Sequence, residues 1–203
     1  MTDVKLVVFD IGGVLIELAG IDTIFRWTGD RFNSEAEMHE AWICSQAVQH
    51  YERGHCSSEQ FAEDVVVDLD LPVSGAEFIT EFLRWPNGLH DGAAAMLEQV
   101  KEKREIACLS NTNDLHWGNQ LDSDYLDSVF DYKYLSFQMG MVKPDEEIFE
   151  AMIADLGMPP SSILFMDDNQ INVDAASRTG LQSHLARGVE EARVVLLQAG
   201  CLD

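Results

Sequence analysis

Three short apolar runs, each ending in a polar cluster, constrain this chain more than any other feature. Lys5-Leu6-Val7-Val8-Phe9 runs into Asp10-Ile11-Gly12-Gly13. Ile106-Ala107-Cys108-Leu109 runs into Ser110-Asn111-Thr112-Asn113, and Ile163-Leu164-Phe165-Met166 into Asp167-Asp168-Asn169. Runs of this length and β-branched, apolar character are read as buried strands. Helical patterns alternate with them over Ala93–Lys103, Glu146–Leu156, residues 171–178 and Glu190–Gln198. Short strands are expected at Tyr132–Leu135 and Gln182–Ala186. Strand alternating with helix implies an α/β fold: a Rossmann-like parallel sheet with helices on both faces. Ligands in such sheets bind outside the carboxyl ends of the strands, so the three polar clusters are expected to converge at one edge.

A different pattern interrupts this alternation. From about residue 20 to 86 the periodicity is helical, with no convincing strand. Ser34 precedes a helix carrying Met38, Ala41, Trp42 and Ala47, which Gly54 stops. Ser57-Ser58-Glu59-Gln60 resembles a capping box before Phe61, Val65 and Leu69. Pro72, Ser74 and Gly75 break the chain before Phe78, Phe82 and Leu83, and Pro86-Asn87-Gly88 closes the region. The expectation is an insert of about four helices over residues 17–87, placed after the first strand, on a discontinuous core of residues 1–16 and 88–203.

Composition bounds the partners. The 203 residues include 36 Asp and Glu against 13 Lys and Arg, a formal net charge of −23. Such a surface repels nucleic acid and anionic membranes, so neither is expected as a partner. Any phosphate site must gather local positive charge from a metal, a lysine and backbone N–H groups. No stretch is long and apolar enough to span a bilayer. The start Met1-Thr2-Asp3-Val4-Lys5 lacks a signal-peptide pattern, so a cytoplasmic protein is expected. Cys44, Cys56, Cys108 and Cys201 form no C-x-x-C pair and are read as free thiols. Oligomeric state is not legible, and a monomer is the simpler expectation.

The polar clusters make chemical sense together. Asp10 and Asp168 offer carboxylate oxygens suited to Mg²⁺. The Ser110 hydroxyl, the adjacent backbone N–H and Lys143, which follows a glycine-containing loop, suit phosphoryl oxygens. A carboxylate such as Asp10 can attack phosphorus and form an aspartyl-phosphate.

On these residues the chain resembles the haloacid dehalogenase superfamily. Four motifs occur in order: Val8-Phe9-Asp10-Ile11-Gly12-Gly13-Val14-Leu15, Leu109-Ser110-Asn111-Thr112, Gly140-Met141-Val142-Lys143-Pro144-Asp145 and Phe165-Met166-Asp167-Asp168-Asn169, with Asn172 following. The resemblance implies Asp10 as nucleophile, with the Gly12 carbonyl and Asp168 binding Mg²⁺. It implies that Asp167 and Asn172 hold metal-bound waters, and that Ser110, Asn111 and Lys143 bind the phosphoryl group. It also implies that the helical insert is a cap over a small phosphorylated substrate. Tyr51-Glu52-Arg53-Gly54, Leu109 to Asn113 with Leu115-His116, and Tyr134-Leu135-Ser136 further resemble the bacterial α-D-glucose-1-phosphate phosphatase branch. That points to a sugar phosphate such as glucose 1-phosphate.

Position 12 departs from the superfamily's phosphatases. Most carry there a second aspartate that protonates the leaving group and then activates water, and glycine has no proton to exchange. Proton transfer of this kind contributes about 10²–10⁴-fold. A good leaving group such as an anomeric phosphate lessens the need, and Glu17, Asp114 and His116 are candidate substitutes. A haloacid dehalogenase is a rival that the paired Asp167-Asp168 opposes. A phosphomutase is opposed by the missing acid, and a non-catalytic module by the intact nucleophile, lysine and acidic pair. Arg53 and His55 are read as structural, as are Trp27, Trp42 and Trp85. His39, His50, His90 and His184 show no ligand spacing.

Overall fold

Residues 3–119 and 122–203 are described in a computed structural model of the chain. Met1 and Thr2, the start of the N-terminus read above, lie outside the described residues. Strand β1 (Leu6–Phe9) is followed by β2 (Ile16–Leu18) and then by α1 (Ile21–Thr28), α2 (Glu35–Cys44), α3 (Gln46–Glu52), α4 (Ser58–Asp68) and α5 (Gly75–Phe82). The chain returns through β3 (Pro86–Leu89), α6 (Ala93–Lys101), β4 (Glu105–Ser110), α7 (Asp114–Asn119), α8 (Ser123–Val129), β5 (Tyr132–Leu135) and α9 (Ser136–Met139). It ends with α10 (Glu146–Leu156), β6 (Ile163–Asp167), α11 (Gln170–Arg178), β7 (Gln182–Leu185) and α12 (Gly188–Gln198).

The main sheet has the order β5-β4-β1-β6-β7, and every pairing in it is parallel. The expected Rossmann-like parallel sheet is thus present, with helices packed on both faces. β1 lies at the centre, with Phe9 in register with Cys108 of β4 and Met166 of β6. All four β1 residues are fully buried, as a strand covered on both faces requires. Val7 and Phe9 point into one apolar layer with Met96, Leu97, Val100 and Leu196 from α6 and α12. Leu6 and Val8 point into the other, with Ile148, Phe149 and Met152 of α10 and Ala175 and Ala176 of α11. Fully burying side chains of this size contributes about 1.5–3 kcal/mol each. The central strand, and the aspartate that follows it, are therefore held firmly.

The insert differs from expectation in two respects. Among the described residues it has five α-helices, not four. The helix expected from Ser34 to Gly54 breaks at Ser45, whose N–H still bonds the Trp42 carbonyl while its side chain accepts from the Val48 N–H and caps α3. Pro86-Asn87-Gly88, read as the close of the helical region, belongs to a strand: β2 and β3 pair antiparallel at the base of the insert. The expected capping at Ser57 is present, since its side chain accepts from Gln60 N–H. The helices share a third apolar cluster, rich in rings: Trp42, Tyr51, Phe61, Phe78, Phe82 and Trp85. Tyr51 stacks on Phe61 with centroids 4.2 Å apart, and Trp42 lies 4.9 Å from Trp85. No helix among the described residues is long and apolar enough to cross a membrane.

Candidate active site

Asp10 follows β1 directly, between the carboxyl ends of β4 and β6. Its backbone N–H bonds the Met166 carbonyl, continuing the strand ladder one residue beyond Phe9. Its Oδ1 accepts from the Ile11 N–H at 2.7 Å and lies 2.9 Å from Lys143 Nζ. Oδ2 carries neither of these contacts.

Lys143 is buried and spans the floor of the site. Its ammonium lies 2.7 Å from Asp167 Oδ2 and donates to the Leu109 carbonyl at 3.0 Å. The loop that carries it is locked to β4. Asn111 Nδ2 donates to the Lys143 carbonyl at 2.9 Å, and the Lys143 N–H donates to Asn111 Oδ1 at 2.8 Å. Asp167 is wholly buried. It accepts from the Asn169 N–H and, on both oxygens, from Asn172 Nδ2 at 3.0 and 3.1 Å. Asp168, half-buried, faces the loop after β1. A Cβ at Gly13, where φ is +70°, would come within 2.1 Å of Asp168 Oδ2. Glycine at 13 therefore permits both the turn and the close approach of that carboxylate.

All eight residues singled out in the sequence gather at this edge of the sheet: Asp10, Gly12, Ser110, Asn111, Lys143, Asp167, Asp168 and Asn172. Carboxylate oxygens of Asp10, Asp167 and Asp168 lie within 4.8 Å of one another. Crowding and burial leave their mark on the acid constants. Burial pushes the Asp10 carboxyl up to about 8; Lys143 opposes this, while Asp167 and Asp168 add to it. Burial and Asp167 together raise Asp168 to about 6. Burial alone would lower Lys143, yet Asp10 and Asp167 hold its ammonium above the ordinary lysine range. Three carboxylates against one ammonium leave excess negative charge in a poorly hydrated place. A hard cation relieves that excess, and an oxygen-only donor set suits Mg²⁺.

Above this floor opens a cavity of about 730 Å³ between sheet and insert. Gly12, Ser110, Asn111 and Asp168 form its base. Ile16, Leu18, Trp42, Phe82 and Trp85 supply apolar wall, and Glu17, Glu35, His39, Glu52, His90 and His116 supply polar groups. The buried Trp85 Nε1–H has no partner among the described residues. Trp42 and Trp85 are therefore core residues, as read, and wall residues as well.

The candidate acids read in the sequence fare differently. His116 Nε2 lies 2.8 Å from the Phe82 carbonyl, which can only accept, so that nitrogen carries the proton. Burial lowers the ring's pKa to about 4 and keeps it neutral. Asp114 accepts from the Tyr51 hydroxyl at 2.6 Å and does not line the cavity. Glu17 lines it as an exposed residue. Arg53, read as structural, pairs with Asp145 at 2.6 Å. Sequence reasoning missed Glu52 as a cavity residue. It stood within the quoted Tyr51-Glu52-Arg53-Gly54, but nothing local says which way it faces.

Residues 4–180 match the model of the haloacid dehalogenase-like hydrolase family. The chain belongs to that family. Relatives within reach of this hydrolase include a D-ribitol-5-phosphate phosphatase of Bacteroides thetaiotaomicron, 26% identical over 89% of this chain and 90% of the relative. A sesquiterpene phosphatase of Aspergillus oryzae is 25% identical over 98% of this chain and 99% of the relative. A crystal structure of a family enzyme from B. thetaiotaomicron, in complex with magnesium and inorganic phosphate, superposes with a TM-score of 0.72 at 25% identity. It covers 91% of this chain and 94% of that one.

Proposed function

We propose that this hydrolase is a Mg²⁺-dependent phosphomonoesterase that works through an aspartyl-phosphate on Asp10. The observation that carries the reading is the buried Lys143 ammonium bridging Asp10 and Asp167 at 2.9 and 2.7 Å, with Asp168 beside them under the cavity. The phosphatase relatives and the magnesium–phosphate complex of the related enzyme support it.

Asp10, Asp168 and the Gly12 carbonyl would hold the metal, with Asp167 and Asn172 behind them. When bound, Mg²⁺ offsets repulsion between the attacking carboxylate and the phosphoryl oxygens. The protein's own residues do the rest. Ile11 N–H and Lys143 fix Asp10 Oδ1, which leaves Oδ2 to attack phosphorus. Ser110, the Asn111 N–H and the Lys143 charge stabilise the phosphoryl oxygens. Asp167 and the Leu109 carbonyl hold the ammonium in place. Water then attacks phosphorus, and Asp10 leaves with its carboxylate restored.

Residues 17–87 act as a cap on the core of residues 1–16 and 88–203 and shape the substrate's pocket. The substrate is a small cytoplasmic phosphorylated metabolite, a sugar phosphate such as glucose 1-phosphate. The polar cavity groups and the ribitol-phosphate relative support that choice. A second reading, an ester with an apolar body, is favoured by the Ile16, Leu18, Trp42, Phe82 and Trp85 wall and by the sesquiterpene phosphatase relative. A panel of hexose 1-phosphates, polyol phosphates and prenyl phosphates, assayed with Mg²⁺ and with Asp10→Asn as control, tests both. Preference for hexose 1-phosphates supports the first, and preference for prenyl phosphates replaces it with the second. Activity equal in wild type and Asp10→Asn removes the mechanism.

A further inference from the structure

Glycine at position 12 leaves the reaction without a proton donor beside the nucleophile, and the structure shows what occupies the space. A Cβ at Gly12 would meet Leu18 Cδ1 at 2.7 Å. The methyl end of the exposed Leu18 side chain therefore stands beside Gly12, and position 12 itself offers no acid. A donor for poorer leaving groups has to stand elsewhere on the cavity wall.

Glu52 ends α3 and lines the same cavity as Gly12, Ser110 and Asp168. It is half-buried and, among the described residues, forms no ion pair or side-chain hydrogen bond. Its neighbours, by contrast, are fastened to the core. The Tyr51 hydroxyl donates to Asp114 at 2.6 Å, and Arg53 Nη2 to Asp145 at 2.6 Å. Gly54, at φ +68°, lies so close to the Phe137 carbonyl that a Cβ there would sit 2.3 Å from its oxygen. Those anchors belong to α7, to the loop before α10 and to α9, around the floor of the site. The segment is pinned on both sides of a carboxyl group that has no structural partner of its own. Glu52 thus opens onto the cavity whose base is formed by Gly12, Ser110, Asn111 and Asp168. Burial raises its carboxyl to about 7, against the pull of Lys143 and Arg53, so both protonation states are populated near neutrality.

We propose that Glu52 is the general acid and base of this hydrolase, supplied by the cap in place of the residue missing at position 12. The inference rests on the phosphatase reading above. As Asp10 attacks phosphorus, the bond to the leaving oxygen breaks, and the Glu52 carboxylic acid gives that oxygen its proton. The resulting Glu52 carboxylate then takes a proton from the attacking water. The bond between Asp10 and phosphorus breaks, phosphate departs and Glu52 is again protonated.

The test is kcat/KM for phosphomonoesters whose leaving groups run from nitrophenols to simple alcohols, in wild type, Glu52→Gln, Glu17→Gln and Asp10→Asn. Because kcat/KM reports the first chemical step, Glu52→Gln should cost about 10²–10³-fold on alkyl esters and less than about tenfold on nitrophenyl esters. With nitrophenyl esters, the variant should also release a burst of nitrophenol, since water activation becomes limiting. Glu17→Gln should keep the wild-type leaving-group dependence. A loss of equal size across the series would make Glu52 a binding or structural residue and overturn the proposal, as would no loss at all. A melting temperature at or above the wild-type value shows that Glu52→Gln folds, because the change removes a poorly hydrated acid. If wild type and Asp10→Asn are equally inactive on every ester, the phosphatase reading itself fails. If Asp10→Asn alone is inactive, only the role of Glu52 fails.

Discussion

The floor and the roof of the cavity are built on opposite principles. In the floor, Lys143, Asp167, Asn172 and Asn111 hold one another in a closed set of hydrogen bonds on the ends of β4 and β6. In the roof, rings pack against rings; among the described residues the Trp85 indole N–H on the wall has no partner, and the Glu52 carboxyl forms no side-chain hydrogen bond or ion pair. A floor whose groups are already committed to each other is rigid and suits an invariant step, the handling of a phosphoryl group. A roof with uncommitted groups suits the parts of a reaction that differ among substrates: recognition of the body and protonation of what leaves.

Changes in the floor should therefore be costly in both stability and rate. Asp10→Asn should lower kcat by at least about 10⁴-fold, and steady-state assays with Mg²⁺ check this. Lys143→Met should destabilise the fold by about 3–5 kcal/mol, because it strands two buried carboxylates. Denaturant melts read that loss directly, and a variant as stable as wild type would mean that the ion pairs do not organise the floor.

The acid constants sharpen the contrast further. Asp10 has a folded-state pKa of about 8 against an ordinary 3.8. Its contribution to stability is fully present below the lower value and is lost as pH rises through the upper one. Without divalent cations, wild type should lose melting temperature relative to Asp10→Asn between about pH 5 and 8. Added Mg²⁺ should remove most of the difference. Parallel pH profiles for the two proteins would show that the carboxyl is not strained.

The roof should respond more mildly and selectively. Trp85→Phe deletes the unpaired N–H while keeping an aromatic ring. It should leave stability unchanged or raise it by about 1 kcal/mol, while KM for hydroxyl-rich phosphates rises by about tenfold, the worth of one hydrogen bond. An unchanged KM across the substrate panel would mean that the indole N–H contacts no substrate.

The same contrast explains what could be read in advance. β1, β4 and β6 announced themselves because a strand buried on both faces must be an unbroken apolar run, and their terminal clusters named the floor. β2 and β3 did not. Ile16-Glu17-Leu18 is too short to show a period, and Pro86-Asn87-Gly88 has the composition of a turn; only their mutual pairing makes them strands. The break between α2 and α3 rests on one serine that caps the second helix, inside a continuous helical pattern. Glu52 was written in the chain as plainly as Asp10. Its position over the site, however, depends on how Tyr51, Arg53 and Gly54 dock against residues 114, 145 and 137, and no local pattern encodes those contacts.

The central claim is that Asp10 becomes covalently phosphorylated. Acid quenching within one turnover, after mixing with a radiolabelled phosphomonoester and Mg²⁺, should leave label on wild type that hydroxylamine removes. The label should map to the peptide bearing Asp10 and be absent from Asp10→Asn. Turnover by wild type with no protein-bound label at any quench time, and with activity persisting in Asp10→Asn, would contradict it.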